Sequence, residues 1–285
     1  MNKTTSAAAA AGAYTNTFAF DPASPPPGGH PSLRRTMLAG LRRPADPDSW
    51  AAISSFARLV TTPDGKPIRS IITGRRCIVT GSYASRKARR ALVHESMNER
   101  ALFVHSEVDT EIIDYQSQPL RLEFVLDGRR RTYIADCLRQ KFDGSLELVE
   151  VKHDQRALRD PDYALKIQAV AKVCQALQWS FRVVHGAPLR AKSTFNTNVG
   201  IVQQYRFVKF GAREIHLAGE ALAQAGGEIA FGRLAEILGE RRIGRAQICA
   251  MMVGRIVRID LQSALNDNSV VRSPGSSLTS SEARA

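Results

Sequence analysis

Along the chain the apolar positions change period twice. Residues 84–108 are strong helix formers without Gly or Pro, which predicts one long helix or two short ones. Residues 112–118, 120–126, 130–138 and 146–152 instead read as four extended segments. Asp127-Gly128 and Asp143-Gly144 fall between successive segments and mark two hairpins. Asp160-Pro161 then supplies an N-cap and a residue suited to the first helical position. Apolar side chains at Leu165, Val170, Val173, Cys174 and Leu177 fit a helix buried on one face, and residues 179–184 read as one more strand. Helix, antiparallel strands, helix, strand is an α/β core of about one domain's length.

Beyond Arg190 the pattern turns helical. Residues 231–238 form a short amphipathic helix ending at Gly239, residues 244–253 a second helix, and residues 255–260 a strand. That order resembles a winged-helix module, a type that binds DNA or another protein. The two ends differ from everything between them. Residues 1–47 are rich in Ala, Pro, Gly, Ser and Thr, too poor in apolar area to offset their ordering entropy, and read as a disordered tail. Within them Arg34-Arg35 and Arg42-Arg43 flank a short apolar repeat able to become helical against a partner, although a solvated linker is the simpler reading. The expected division is a tail at 1–47, an α/β domain at 48–190, a helical, winged-helix-like domain at 191–271 and a flexible tail at 272–285.

Charge changes this picture. The 285 residues carry 40 Lys+Arg against 27 Asp+Glu, a formal net charge of +13, which favours a polyanionic partner, nucleic acid before membrane. The excess is uneven: residues 51–100 are strongly basic and residues 101–150 are acidic. A binding face beside an acidic site is the expectation. No apolar run is long enough to span a bilayer, the alanine run after Lys3 is a feeble signal sequence, and the four cysteines show neither CxxC pairs nor His at ligand spacing. These features predict a cytoplasmic protein without a zinc site or a disulfide framework.

The chemistry gathers at Asp136, Glu150 and Lys152, preceded by Glu99. Metal-dependent phosphodiester cleavage needs hard oxygen ligands and a cation near the attacked phosphate. On a strand, Glu150 and Lys152 share a face while Val151 points the other way. If 142–144 is a three-residue loop with Gly144 left-handed, Asp136 stands directly opposite Glu150, close enough for both carboxylates to hold one ion. An acid-x-Lys triplet alone arises about once by chance in such a chain. Here there are two, Asp64-Gly65-Lys66 and Glu150-Val151-Lys152, and the first is a turn. Read from spacing alone, a surface ion pair competes evenly with the nuclease.

A family resemblance adds to this. Gly81-Ser82-Tyr83-Ala84-Ser85-Arg86-Lys87, Glu95 to Arg100, Tyr115-Gln116-Ser117-Gln118-Pro119, Tyr133-Ile134-Ala135-Asp136 and Glu150-Val151-Lys152 together resemble the TnsA endonucleases, PD-(D/E)xK subunits of heteromeric transposases. The likeness runs from residue 81 to 184 and more faintly to 271. It implies a restriction-endonuclease-like mixed sheet flanked by helices, followed by a C-terminal, mostly helical domain. It also implies Mg²⁺, with Mn²⁺ able to substitute, held by Asp136 and Glu150, completed or adjusted by Glu99, with Lys152 orienting water or stabilising phosphate charge. The implied activity is nicking at the 5′ ends of a transposon. The implied partners are double-stranded DNA, an integrase-type transposase subunit and an ATP-dependent regulator, in a bacterial cytoplasm and on the nucleoid. Ala135 stands where that family usually has proline, a change that removes no ligand.

Secondary candidates complete the set. Ser96 and Gln118 are expected near the site, as a helix serine and a polar strand end respectively; His153 faces away from the acid–lysine pair. Arg75, Arg76, Arg86, Lys87, Arg89 and Arg90, with no acid between Lys66 and Arg90, are candidate phosphate contacts. Two other readings stand beside the transposase subunit: a restriction or repair nuclease of the same fold, and a non-catalytic DNA-binding adaptor.

Overall fold

The computed structural model describes residues 33, 35–37, 57–62, 66–68, 79–154, 156 and 159–274. Strand β1 (Ala57–Thr61) leads to a hairpin of β2 (Gly81–Ser85) and β3 (Arg90–His94), and only then to helix α1 (Met97–Val108). The helix expected over 84–108 is therefore a helix in its second half alone. Helix propensity loses here to burial: Tyr83, Ser85, Leu92 and His94 turn inward. The turn between the strands is held from α1. Glu107, fully buried, accepts from Arg86 N at 2.7 Å and from Ser85 Oγ at 2.6 Å, and Arg89 takes a φ of +52°. Helix α1 begins at Ser96, whose Oγ accepts from Glu99 N.

Next come β4 (Ile112–Ser117), β5 (Leu120–Leu126), β6 (Arg129–Ile134), β7 (Cys137–Lys141) and β8 (Leu146–Lys152), then α2 (Pro161–Ala176) and β9 (Ser180–His185). They build two sheets, β1-β5-β6 and β4-β7-β8-β9, the second mixed because β8 and β9 run parallel. Both hairpins fall where expected. Asp127 and Gly128, with φ of +50° and +71°, join β5 to β6, and Gly144, at +85°, closes the 142–144 loop. The β7–β8 register pairs Cys137 with Val149 and Gln140 with Leu146, which extends to Asp136 opposite Glu150.

The segment read as one strand over 130–138 is two. Ile134 still pairs with Arg121 in one sheet, whereas Cys137 pairs with Ser117 in the other, so the first strand has one residue more than its partner across the junction. That extra residue is a bulge around Gln118, whose φ is +43°, just before Pro119. Two bonds carry the ribbon across the break: Gln118 N to Asp136 O at 3.0 Å, and Ala135 N to Leu120 O at 3.3 Å. Asp136 thus sits at the point where the chain changes sheet.

Helices cover both faces of the mixed sheet. Leu138, Leu148, Val170 and Val173 pack on the α2 side, and Phe103, Tyr115, Cys137 and Val149 on the α1 side. Helix α2 starts as predicted at the Asp160 cap and buries the expected Val170, Val173 and Cys174, joined by Ile167 and Ala169, but Leu165 is 37% exposed. Leu33 and Met37, one helical turn apart, are also buried in this core. The linker expected there does not describe those two residues; apart from 33 and 35–37 the 1–47 tail, and 275–285, lie outside the described residues.

Past α3 (Gly186–Arg190) and α4 (Thr194–Gln204) follow α5 (Ala212–Gln224), β10 (Glu228–Ala230), α6 (Phe231–Leu238), α7 (Arg241–Val253), β11 (Arg258–Ile259) and β12 (Val270–Arg272). The strands form a small sheet, β10-β12-β11, giving helix–strand–helix–helix–strand–strand, the order of a winged helix. The strand expected over 255–260 is only Arg258–Ile259, because Arg255 takes a φ of +62° and is still turning out of α7. Gly244 lets α6 and α7 meet, since a Cβ there would press on the Ala235 carbonyl. Val108 of α1 joins the core of this C-terminal part, and Arg255 Nε donates to Thr110 O at 2.8 Å.

Candidate active site

The cleft forms where β6 leaves one sheet and β7 enters the other. It has a volume of about 530 Å³ and is lined by Glu99, Asp136, Glu150, Lys152, Tyr163 and Lys166, among others. Each acid is placed by a different device. Glu150, 4% exposed on β8, accepts from Tyr133 Oη through Oε2 at 2.6 Å and from Tyr163 Oη through Oε1 at 2.7 Å. Lys152 Nζ, two residues on along the same face, lies 2.6 Å from Glu150 Oε1. Asp136 Oδ2 accepts from the backbone N–H of Val151 at 2.8 Å, so the sheet break aims it at β8. Glu99 comes from the first turn of α1, where its oxygens accept from Glu95 N at 2.8 Å and Ser96 Oγ at 3.0 Å.

Electrostatics marks these acids as a set. Burial first, then the charges of Glu150 and Glu99, push the Asp136 carboxyl up to about 8, against the pull of the Val151 amide and Lys152. Burial, reinforced by the Glu150 carboxylate, also raises the phenols of Tyr133 and Tyr163. Both therefore stay protonated donors to Glu150. A buried carboxyl whose proton affinity is raised beside other carboxylates is the donor chemistry a hard divalent cation relieves. Among the described residues no three His, Cys, Asp or Glu side chains stand close enough to cage an ion as they lie. With Lys152 already on Glu150, the chemistry of the acids fits Mg²⁺ and their present spacing is open.

The other expected residues separate. Ser96 is the cap of α1 and reaches the cleft through Glu99. Gln118 is buried behind it, at the bulge, and acts on Asp136 through its backbone N–H. His153 lies exposed on the rim. Arg75 and Arg76 lie outside the described residues. Arg86 Nη1 donates to Arg206 O at 2.8 Å and Val208 O at 3.1 Å, with its guanidinium 4.6 Å from the Phe210 ring centroid. Lys87 Nζ donates to Ser106 O at 3.1 Å and to Asp109 O, at the end of α1. Arg89 holds the turn, and Arg90 Nη2 reaches Tyr115 O at 3.2 Å and Asp114 Oδ1 at 3.6 Å. Tyr133, Tyr163 and Lys166 went unnoticed as site residues: a tyrosine near a strand end and two polar positions on a helix give no signal until the fold brings them to Glu150.

Two carboxylates and a lysine at the open end of a mixed sheet, flanked by helices, are consistent with the PD-(D/E)xK class of phosphodiesterase core. Within that class, residues 109–186 match the family model described as "TnsA-like endonuclease N terminal". The chain therefore carries a TnsA-like endonuclease domain, and the match implies a nuclease. Asp136, Glu150, Lys152, Tyr163 and Lys166 fall inside the matched stretch; Glu99 and the motifs from 81 to 108 precede it. Curated proteins return no match to the chain. Among the described residues no helix is long and apolar enough to cross a membrane.

Proposed function

We propose that the protein is a Mg²⁺-dependent DNA endonuclease that nicks at the 5′ ends of a transposon as one subunit of a heteromeric transposase. The observation that carries this reading is the register of β7 on β8, which sets Asp136 opposite Glu150 and brings Lys152 to the same face. The nuclease domain spans 48–190 and the winged-helix-like part, 191–271, serves partner binding. Its partners are the double-stranded DNA of the transposon ends, an integrase-type transposase subunit and an ATP-dependent regulator.

Each residue has work that follows from its contacts. Tyr133 and Tyr163 fix both oxygens of Glu150, and the Val151 amide fixes one of Asp136, so the acids are oriented before substrate arrives. Asp136 and Glu150, adjusted by Glu99, would hold Mg²⁺ or Mn²⁺, which supplies Lewis-acid polarisation of the phosphodiester and a more acidic water. Lys152, released from Glu150 in part as other charge arrives, orients the attacking water or stabilises charge on the phosphate. The test is cleavage of transposon-end DNA reconstituted with the partner subunits. Asp136→Ala and Lys152→Ala are each expected to abolish nicking while retaining a folded circular-dichroism spectrum. Wild-type-like nicking by either sinks the reading.

A further inference from the structure

The cleft contains a second cation that the acid-x-lysine arrangement does not use. Lys152 is bound to Glu150, with its ammonium 4.6 Å from the centroid of the Tyr163 ring. Lys166, one helical turn beyond Tyr163 on α2, has its own ammonium 5.1 Å from that centroid. It lines the same cleft, and among the described residues no carboxylate lies within ion-pair distance of it. One ring thus carries two ammonium groups, one neutralised and one not. Each head is attracted by the ring face, and the second, with no carboxylate of its own, is left to meet an anion that enters the cleft.

The helix is held where this lysine matters. Arg131 of β6 pairs with Asp162, and Tyr163 donates to Glu150 of β8, so the first turn of α2 ties together both sheets that meet at Asp136. Lys166 is one turn further on, with a flexible stem whose head can follow a ligand.

We infer that Lys166 is a phosphate-binding residue, contacting a backbone phosphate of the DNA duplex beside the one attacked. This rests on the nuclease reading for the identity of the polyanion but not on catalysis. A single ammonium of this kind is a point charge that gives affinity without base preference.

The test is binding, measured by fluorescence anisotropy of a labelled duplex oligonucleotide with the full-length chain carrying Asp136→Ala, in EDTA, across a salt series. Lys166→Ala in that background is expected to weaken binding about fivefold at low salt and to reduce the slope of log affinity against log salt by about one, the signature of one lost phosphate contact. Lys166→Arg is expected to restore the slope. Thermal melting of each variant identifies any loss of fold, and the slope of Lys166→Gln, which keeps most of the side chain's packing, then decides. An unchanged slope in Lys166→Ala or in Lys166→Gln overturns the inference. Failure of wild-type cleavage with an intact Lys166 slope effect would instead overturn only the catalytic reading.

Discussion

Two charged regions, the basic turn at 86–90 and the acids at 136 and 150, use charge in opposite ways. The basic turn between β2 and β3 has the densest run of cations, yet the fold turns them inward: Arg86 onto carbonyls and Phe210, Lys87 onto the end of α1, Arg90 onto Tyr115 and Asp114. In the cleft the arrangement is reversed. Asp136 is buried first of all, then forced beside Glu150 with Glu99 near, and the result is a carboxyl raised to about 8. A dense run of one sign along the sequence is therefore a poor guide to a binding face. Charge that the fold leaves uncompensated is a better one.

If that contrast is right, the largest effects belong to the cleft. Glu150→Gln keeps the volume and loses the charge that Lys152 and both tyrosines address. It is expected to lower the nicking rate by about three orders of magnitude or more, comparable to loss of a central electrostatic group, with little change in melting temperature. A rate within tenfold of wild type would break the comparison on the acidic side. In the basic turn the largest effect falls on stability instead. Glu107→Ala leaves Ser85 and Tyr115 hydroxyls and the Arg86 and Lys87 amides without their buried acceptor. A loss of about 3–5 kcal/mol follows, read as a shift in the urea midpoint.

The same contrast explains which parts of the molecule were legible. Turn chemistry was readable because it is local: Asp127-Gly128 and Gly144 set both hairpins, and the second hairpin alone determines that Asp136 faces Glu150. The Asp160 cap and the 231–238 helix were local too. The β2–β3 hairpin was not, since its residues prefer helix and their strand form depends on Glu107, some twenty positions away. The split at Asp136 depends on a bulge in the other strand, around Gln118. Lys166 and Tyr163 gain meaning only when α2 lies across both sheets. Burial of Leu33 and Met37 likewise depends on a groove built far along the chain.

Arg86 sharpens the comparison from the other side. Its guanidinium joins the nuclease part to the loop after α4 through two carbonyls and one ring. Arg86→Ala is expected to cost about 2 kcal/mol of stability, seen as a lower urea midpoint, and to leave the salt slope of DNA binding unchanged. A slope reduced by about one, as for Lys166→Ala, would return Arg86 to the binding face and remove the contrast.

The smallest expected effect tests the turn's other cation through pH. Burial lowers Lys87 to about 8, against the smaller opposing pull of Glu107 and Asp109. At pH 7 both the folded and the unfolded chain carry the proton. Between about pH 8 and the ordinary lysine value near 10.4, only the unfolded chain keeps it. The unfolded state then binds more protons, so this residue's contribution to stability rises with pH through that window and is lost as pH falls back through 8. Lys87→Met removes the titration. The difference in melting temperature, wild type minus Lys87→Met, should therefore climb as pH is raised from 7 to 10. A flat or falling difference would mean that the Lys87 ammonium is as well solvated as a surface charge, and the basic turn would then offer one cation to a phosphate after all.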